Sequence, residues 1–122
     1  MKQKWMIGIN ILIFWLLIVQ VGLVAASPPV TPTNFAAAPM VGRKASTLTL
    51  TWSATGTITS FTAERADRAD FTSETTSYTV TGTERFLALT GLARNSTYYF
   101  RIRANNPDGS SAWSPILKVK TP

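Results

Sequence analysis

The chain has 122 residues and a formal net charge of +6, and it contains no cysteine and no histidine. The absence of cysteine excludes disulfide bonds, thiol nucleophiles and Cys-based zinc sites. The absence of histidine removes the usual general base near neutral pH and the most common metal ligand. Two of the twelve basic residues, Lys2 and Lys4, lie at the amino terminus, which leaves ten basic and six acidic residues elsewhere. This surplus of positive charge favours anionic partners, and nothing in it indicates a nucleic-acid ligand.

The first 26 residues have the pattern of an export signal. A basic head of two lysines precedes residues 5–24, which are nearly continuous apolar side chains. Small residues ending at Ala26 suit signal peptidase, so we predict that residues 1–26 are a signal peptide cleaved after Ala26. The alternative is an uncleaved membrane anchor, because an apolar helix of about twenty residues reaches roughly 30 Å. Both interpretations place the rest of the chain outside the cytoplasm.

Residues 27–33 are rich in proline and uncharged, which predicts a short stiff spacer before a folded domain at residues 34–122. The domain sequence is a succession of β-type runs separated by turn residues. In the clearest run, Leu48, Leu50 and Trp52 alternate with threonines, as in a half-buried strand. Seven strands are predicted, at residues 34–38, 46–53, 57–65, 77–81, 84–89, 97–104 and 116–120. The predicted fold class is therefore all-β, a seven-stranded antiparallel β-sandwich preceded by an N-terminal hydrophobic helix.

Three motifs occur in a fixed order: Trp52 in its alternating strand, then Leu89, Leu92 and Tyr98, then Gly-Ser-Ser-Ala-Trp-Ser at residues 109–114. Together they resemble the fibronectin type III domain, an immunoglobulin-like fold, over residues 32–122. The last motif is also similar to half of the duplicated Trp-Ser box of cytokine receptors. The resemblance implies that Tyr98 turns inward and that its hydroxyl bonds to the backbone of the preceding corner. Arg94 departs from the family pattern, because proline is usual at this corner.

A row of basic and aromatic side chains is predicted on the outer face of the last two long strands. If Phe100 and Ile102 face the core, alternation turns these side chains outward: Tyr99, Arg101, Arg103, Lys118 and Lys120, with Glu64 as a counter-charge on a neighbouring strand. Trp113 is expected to stack over Arg101 or Arg103, or alternatively to stack on a sugar. We interpret this set first as a solvated face whose lysines protect a sheet edge. The functional alternative is a face that binds an anionic glycan, an acidic protein or a membrane surface.

The remaining residues predict no catalytic centre, cofactor or metal site, because no nucleophile has a base and no carboxylates are paired at a cleft. The alternating charges of residues 65–70 are expected to pair within their loop, with a calcium site at Asp67 and Asp70 as the alternative. Asn95 begins an N-glycosylation motif that has meaning in a eukaryotic host. Phe86 is expected to be an exposed apolar side chain.

The sequence thus favours an extracytoplasmic, non-catalytic module that binds or spaces, either secreted or held by its N-terminal segment. A protein or glycan partner and a monomeric domain are predicted, with membrane contact through the N-terminal segment alone. The amino-acid sequences of residues 61–67 and 98–106 are similar to those of domains appended to secreted bacterial proteins, often glycan-processing enzymes. Two alternatives follow: a membrane-anchored structural envelope protein, or an accessory subunit of a secreted glycan-processing complex.

Overall fold

A computed structural model describes residues 27–40 and 46–122. The predicted signal peptide, N-terminal helix and cleavage site at Ala26 lie outside these residues. The described residues form eight β-strands and no helix: β1 (Thr33–Met40), β2 (Ser46–Ser53), β3 (Ser60–Ala66), β4 (Thr76–Thr81), β5 (Phe86–Leu92), β6 (Thr97–Asn106), β7 (Gly109–Ser110) and β8 (Leu117–Lys120). The all-β prediction is confirmed.

The strands form two antiparallel sheets packed face to face. One sheet has the order β1-β2-β5, and the other has the order β4-β3-β6, with both β7 and β8 on the free side of β6. The predicted sandwich is confirmed, and its strand count is corrected from seven to eight. The additional strand is the two-residue β7, which lies in the stretch before the predicted last strand at residues 116–120, and that predicted strand corresponds to β8.

The core between the sheets consists of the side chains that the alternating pattern predicted to face inward. Leu48, Leu50 and Trp52 of β2 meet Phe61 of β3 and Phe100 of β6, and all five are at most 4% exposed. The rings of Trp52 and Phe61 pack edge to face with their centroids 5.3 Å apart. A side chain of this size contributes about 1.5–3 kcal/mol when it is fully buried, so the two sheets stabilise each other through this layer.

The corner between β5 and β6 is closed by Tyr98, as the family resemblance implied. The backbone N–H of Ala93 donates to the Tyr98 hydroxyl over 2.9 Å. Gly91 in β5 has a φ of 71°, in the left-handed region that glycine occupies without strain. The hydroxyl of Thr121 donates to the carbonyl of Ala93 over 2.6 Å, which ties the carboxyl end of the chain to the same corner.

Strand ends agree with the predicted ones to within three residues, and β2 agrees at both ends. β3 begins at Ser60, where residue 57 was expected, and β5 covers Phe86–Leu92, where 84–89 was expected. The second shift has a local cause, because the N–H of Glu84 donates to the carbonyl of Thr81 and closes a turn. The residues in that turn are therefore not available for sheet pairing.

The proline-rich segment before β1 lies against the domain. Pro32 is fully buried, the hydroxyl of Thr31 donates to the carbonyl of Ala112, and the amide of Asn106 donates to the carbonyl of Ser27. β1 begins at Thr33, inside the range predicted as a spacer. Within the described ranges, no helix is long and apolar enough to cross a membrane.

Candidate interaction face

The outer surface of the five-stranded sheet brings most of the predicted site residues together. On β6, Phe100 and Ile102 are buried, and Tyr99, Arg101 and Arg103 alternate with them. The pairing of β6 with β3 places Arg101 opposite Glu64 and Arg103 opposite Thr62. The pairing of β6 with β8 places Tyr99 opposite Lys118 and Thr97 opposite Lys120. We call this set of outward side chains the basic face.

Arg101 is neutralised on this face by Glu64. The Nη2 and Nε atoms of Arg101 lie 2.7 and 2.9 Å from the same Glu64 carboxylate oxygen. The two side chains are 26% and 18% exposed, so water still screens the pair and its contribution to stability is modest. The pair also balances the charge of Arg101, as the sequence suggested when it offered Glu64 as the counter-charge.

Two aromatic rings also cover the guanidinium of Arg101. Its Cζ atom lies 4.3 Å from the ring centroid of Trp113 and 4.3 Å from that of Phe71. The Cζ atom of Arg103 lies 4.5 Å from the Trp113 centroid. Each such contact contributes about 0.5–1 kcal/mol at an exposed position. We call Phe71, Arg101, Trp113 and Arg103 the aromatic-arginine stack; the structure thus places Trp113 over both arginines that the sequence offered as alternatives.

Trp113 is held in place by the two serines that flank it. The N–H and hydroxyl of Ser111 bond to the carbonyl and N–H of Ala104, at 2.8 and 3.0 Å. Ser114 does the same with Ile102, again at 2.8 and 3.0 Å. The hydroxyls therefore satisfy the backbone of β6 where strand pairing is interrupted between β7 and β8. The chain between β7 and β8 can therefore leave regular pairing with β6 without leaving these backbone groups unbonded.

Phe71 is the member of the stack that sequence reasoning missed. It lies in the loop between β3 and β4 with a φ of 54°, and its N–H donates to the carbonyl of Arg68. The next residue, Thr72, donates from its N–H and its hydroxyl to the Asp70 carboxylate, at 3.1 and 2.7 Å. This Asx turn reverses the loop and brings Phe71 onto the basic face. The alternation of residues along strands does not predict where a loop side chain lies. The Asp-Phe-Thr order, which is typical of an Asx turn, was the one available signal in the sequence.

Lys118 and Lys120 are the exposed cations of the basic face. Both are outward on β8, and Arg101–Glu64 is the one ion pair within residues 27–40 and 46–122. They stand two residues apart on one strand, about 6.7 Å along the sheet edge. Lys118 is beside Tyr99, whereas Lys120 lies one step farther from the stack. The structure therefore divides the predicted basic row into a covered arginine half and an open lysine half.

The charges of residues 65–70 do not pair with one another, contrary to expectation. Asp67 accepts a hydrogen bond from the hydroxyl of Ser73, and Asp70 accepts those from Thr72. The hydrogen bonds of Thr72 hold the pKa of Asp70 below its usual 3.8, and the charge of Arg68 acts in the same direction. Across the described ranges, no three metal-ligating side chains lie close enough to hold an ion.

Phe86 is 56% exposed, as alternation suggested.

Comparison with known proteins agrees with this architecture. The sequence profile of the fibronectin type III domain matches residues 30–120. The structure resembles the FN1–FN3 domains of chicken CNTN1 with a TM-score of 0.66 and 17% identity, over 77% of this chain and 32% of that one, so this chain spans about a third of its length. It resembles a myokine structure with a TM-score of 0.61 and 18% identity, over 77% of this chain and 98% of that one.

The FN5 domain of Drosophila Lar gives a TM-score of 0.61 at 22% identity, over 77% of this chain and 97% of that one. No curated protein sequence matches the chain. At these identities the solved structures establish the fold alone, whereas the profile match extends over most of the sequence, from the segment before β1 to the end of β8. The chain therefore belongs to the fibronectin type III family.

Proposed function

We propose that this chain is an extracytoplasmic, non-catalytic binding module whose basic face contacts an anionic protein or carbohydrate. Fibronectin type III domains are commonly binding or spacer modules, are typically non-catalytic, and are mostly extracellular. The proposal adds to this general role a surface and a charge preference. Its location outside the cytoplasm rests on the basic head and the apolar run of residues 5–24.

The observation that supports the proposal is the division of the basic face. Arg101 and Arg103 are occupied by stacking on Trp113, while Lys118 and Lys120 are exposed on the adjoining strand. Because the arginines are already held by stacking, they lose little conformational entropy when a partner binds to this surface and to the two exposed lysines beside it. The lysines would supply long-range attraction for carboxylate or sulfate groups, and Tyr99 would supply a neighbouring aromatic contact.

The binding test uses the exported product of the complete sequence on an array of neutral and anionic glycans, and in pull-downs from the host's envelope fraction. The informative variant is the double substitution Lys118→Gln with Lys120→Gln. We expect it to weaken binding at least about tenfold at low salt, because two carboxylate or sulfate groups of the ligand lose the lysine cations that attract them. Wild-type binding should also weaken as salt rises.

A control with the same change in net charge is Thr51→Glu with Thr90→Glu, on the outer face of the opposite sheet, where both threonines are exposed. This variant should bind like wild type if the basic face is the contact surface. Equal loss of binding in both double variants would show that net charge alone is responsible. Binding to neutral glycans with no salt dependence would contradict the proposed ligand class.

Export is tested separately, by mass spectrometry of the protein recovered from its native host. The mass of a chain that begins at Ser27 is expected for cleavage after Ala26. An intact Met1 in the membrane fraction would overturn cleavage and support the anchored alternative. The outcome does not affect the binding test, since the basic face lies entirely within residues 64–120.

A further inference from the structure

β4 forms one edge of the five-stranded sheet, and among the described residues it is paired on one side alone. All six residues of β4 pair with β3 in one continuous register, and no described strand lies on its other side. Such an edge presents unpaired backbone N–H and C=O groups, which pair readily with a further strand. Proteins usually protect these edges with proline, charged side chains or a bulge.

Apart from the two-residue β7, the other edge strands of the described sheets carry such protection. β1 contains Pro39 and has a register shift between Thr33 and Ala36. β5 contains Gly91, and its pairing with β2 is irregular there. β8 carries two outward lysines. β4 reads Thr-Ser-Tyr-Thr-Val-Thr, with no proline, no glycine and no charge, and all its residues except serine have high β-propensity.

The side chains of β4 are arranged so that the strand is complementary to itself. Tyr78 and Val80 are half-buried and pack at the margin of the core. Ser77, Thr79 and Thr81 are exposed on the outer face. In an antiparallel pair, residues directly opposite each other share a face, and aromatic with β-branched pairs and threonine pairs are both favourable.

We propose that β4 pairs antiparallel with β4 of a second copy of this chain, about a two-fold axis at Thr79. This register places Tyr78 opposite Val80 of the second copy and Ser77 opposite Thr81, with the two Thr79 side chains facing each other. Both half-buried side chains then gain a neighbour on the same face and become less exposed to water, and no charges meet within the six residues. The two five-stranded sheets become one continuous sheet, with an isologous contact.

The association is expected to be weak and dependent on concentration. A single pair of six-residue strands buries less than the roughly 1,200 Å² typical of stable complexes. The same register also brings Glu74 towards Glu84 of the second copy just beyond the strand ends. We therefore expect a dissociation constant on the order of 10⁻⁴ M. This self-pairing goes beyond the binding role of the basic face, which is formed by each copy alone.

Cysteine cross-linking tests the contact directly, because the chain has no cysteine of its own. Opposite Cα atoms in antiparallel strands are about 4.5–5.5 Å apart, which suits a disulfide. The complete chain with Thr79→Cys should form a disulfide-linked dimer under mild oxidation at about 100 μM, near the expected dissociation constant. Its rate should be at least about tenfold higher than that of Thr51→Cys, an exposed threonine on the other sheet. Both variants have the same N-terminal segment, so association through that segment would not separate them.

The register has its own test. A mixture of the Ser77→Cys and Thr81→Cys chains should cross-link at least about fivefold faster than either chain alone, because the proposed axis makes these residues opposite. Adding Ser77→Lys and Thr81→Lys to the Thr79→Cys chain places like charges opposite each other and should lower its rate to that of Thr51→Cys. Both positions are exposed, so an unchanged melting temperature is expected and confirms folding.

Three results would overturn the proposal. The first is a Thr79→Cys rate no higher than that of Thr51→Cys at the same concentration. The second is a rate that the paired lysines leave unchanged in a folded protein. The third is in situ oxidation that links the Thr79→Cys chain mainly to a different protein, which would assign the edge to another extended segment instead of a second copy.

Discussion

At the level of single residues, the hydroxyl of Tyr98 forms the hydrogen bond to the corner backbone that the family resemblance implied. It accepts the N–H of Ala93 while its ring packs against the core and lies under the guanidinium of Arg65, whose Cζ is 5.3 Å from the ring centroid. The hydrogen bond links the β5–β6 corner to the first residues of β6. Leu89, Leu92 and Tyr98 therefore form one connected corner, although the usual proline is replaced by Arg94.

The Tyr98→Phe substitution removes this hydrogen bond and leaves the ring in place. We expect it to lower the free energy of unfolding by about 0.5–1.5 kcal/mol, measured by urea denaturation. Tyr99→Phe is the matched control, because no hydrogen bond to the Tyr99 hydroxyl occurs in the described ranges, and it should change stability by less than about 0.5 kcal/mol. Equal effects in both variants would contradict the role of Tyr98 in the corner.

Asp70 gives the fold a dependence on pH. Its folded-state pKa lies below 3.8 because the charged form accepts two hydrogen bonds from Thr72, so its stabilising effect is complete above pH 3.8 and is lost as the pH falls through the lower folded value. The stability difference between wild type and Asp70→Asn should therefore shrink in acid below pH 3.8. Denaturation at several pH values measures it. A difference that grows in acid would contradict the assignment.

At the level of elements, the end of the chain is the unusual feature. Residues 111–116 leave the sheet between β7 and β8, yet the neighbouring backbone of β6 remains hydrogen-bonded through Ser111 and Ser114. This arrangement frees Trp113 from the regular alternation of a strand and lets its ring lie over Arg101 and Arg103. The Ser-Ala-Trp-Ser segment thus combines a backbone role with a surface role.

Replacing Ser114 tests the backbone role. Ser114→Ala leaves the buried N–H of Ile102 without its 3.0 Å acceptor, and this should cost about 1–3 kcal/mol in the free energy of unfolding. Ser110→Ala removes an exposed hydroxyl that bonds to Asn105, and it should cost less than about 1 kcal/mol. Chemical denaturation of both variants provides the comparison. A Ser114→Ala protein as stable as Ser110→Ala would mean that the backbone finds another partner.

The loop between β3 and β4 is the element that sequence reasoning described least well. Alternation predicted Arg101 as an exposed cation beside Glu64, and the ion pair with Glu64 was foreseen. The cover from Phe71 was not, because the loop has no regular period and its course depends on the left-handed conformation at Phe71 and on the Asp70–Thr72 turn. The basic face was therefore predicted in composition but not in its division between covered and open cations.

At the level of the whole molecule, one layer of side chains joins the two sheets, so they should unfold together. Leu50 is fully buried at the centre of this layer. We expect Leu50→Ala to cost about 2–5 kcal/mol, a large part of the 5–15 kcal/mol typical of a small domain. Circular dichroism and tryptophan fluorescence should report the same lowered transition midpoint.

Thr51→Ala is the adjacent control for this substitution, because its side chain is exposed on the other face of the same strand. It should change the unfolding free energy by no more than about 0.5 kcal/mol. Two separate transitions in the Leu50→Ala protein would indicate that the sheets are stabilised independently. That result would contradict the single-layer description of the core.

The sequence by itself determined which side chains face inward, because the two-residue period of a strand assigns every residue to one face. From that period followed the sandwich, the core and the membership of the basic face. Tertiary structure alone decided what covers each outward residue: Phe71 over Arg101, Trp113 over both arginines, and the proline-rich segment against the domain. The period specifies a face but not its lateral neighbours, and those neighbours come from loops and distant strands that meet only in the folded chain.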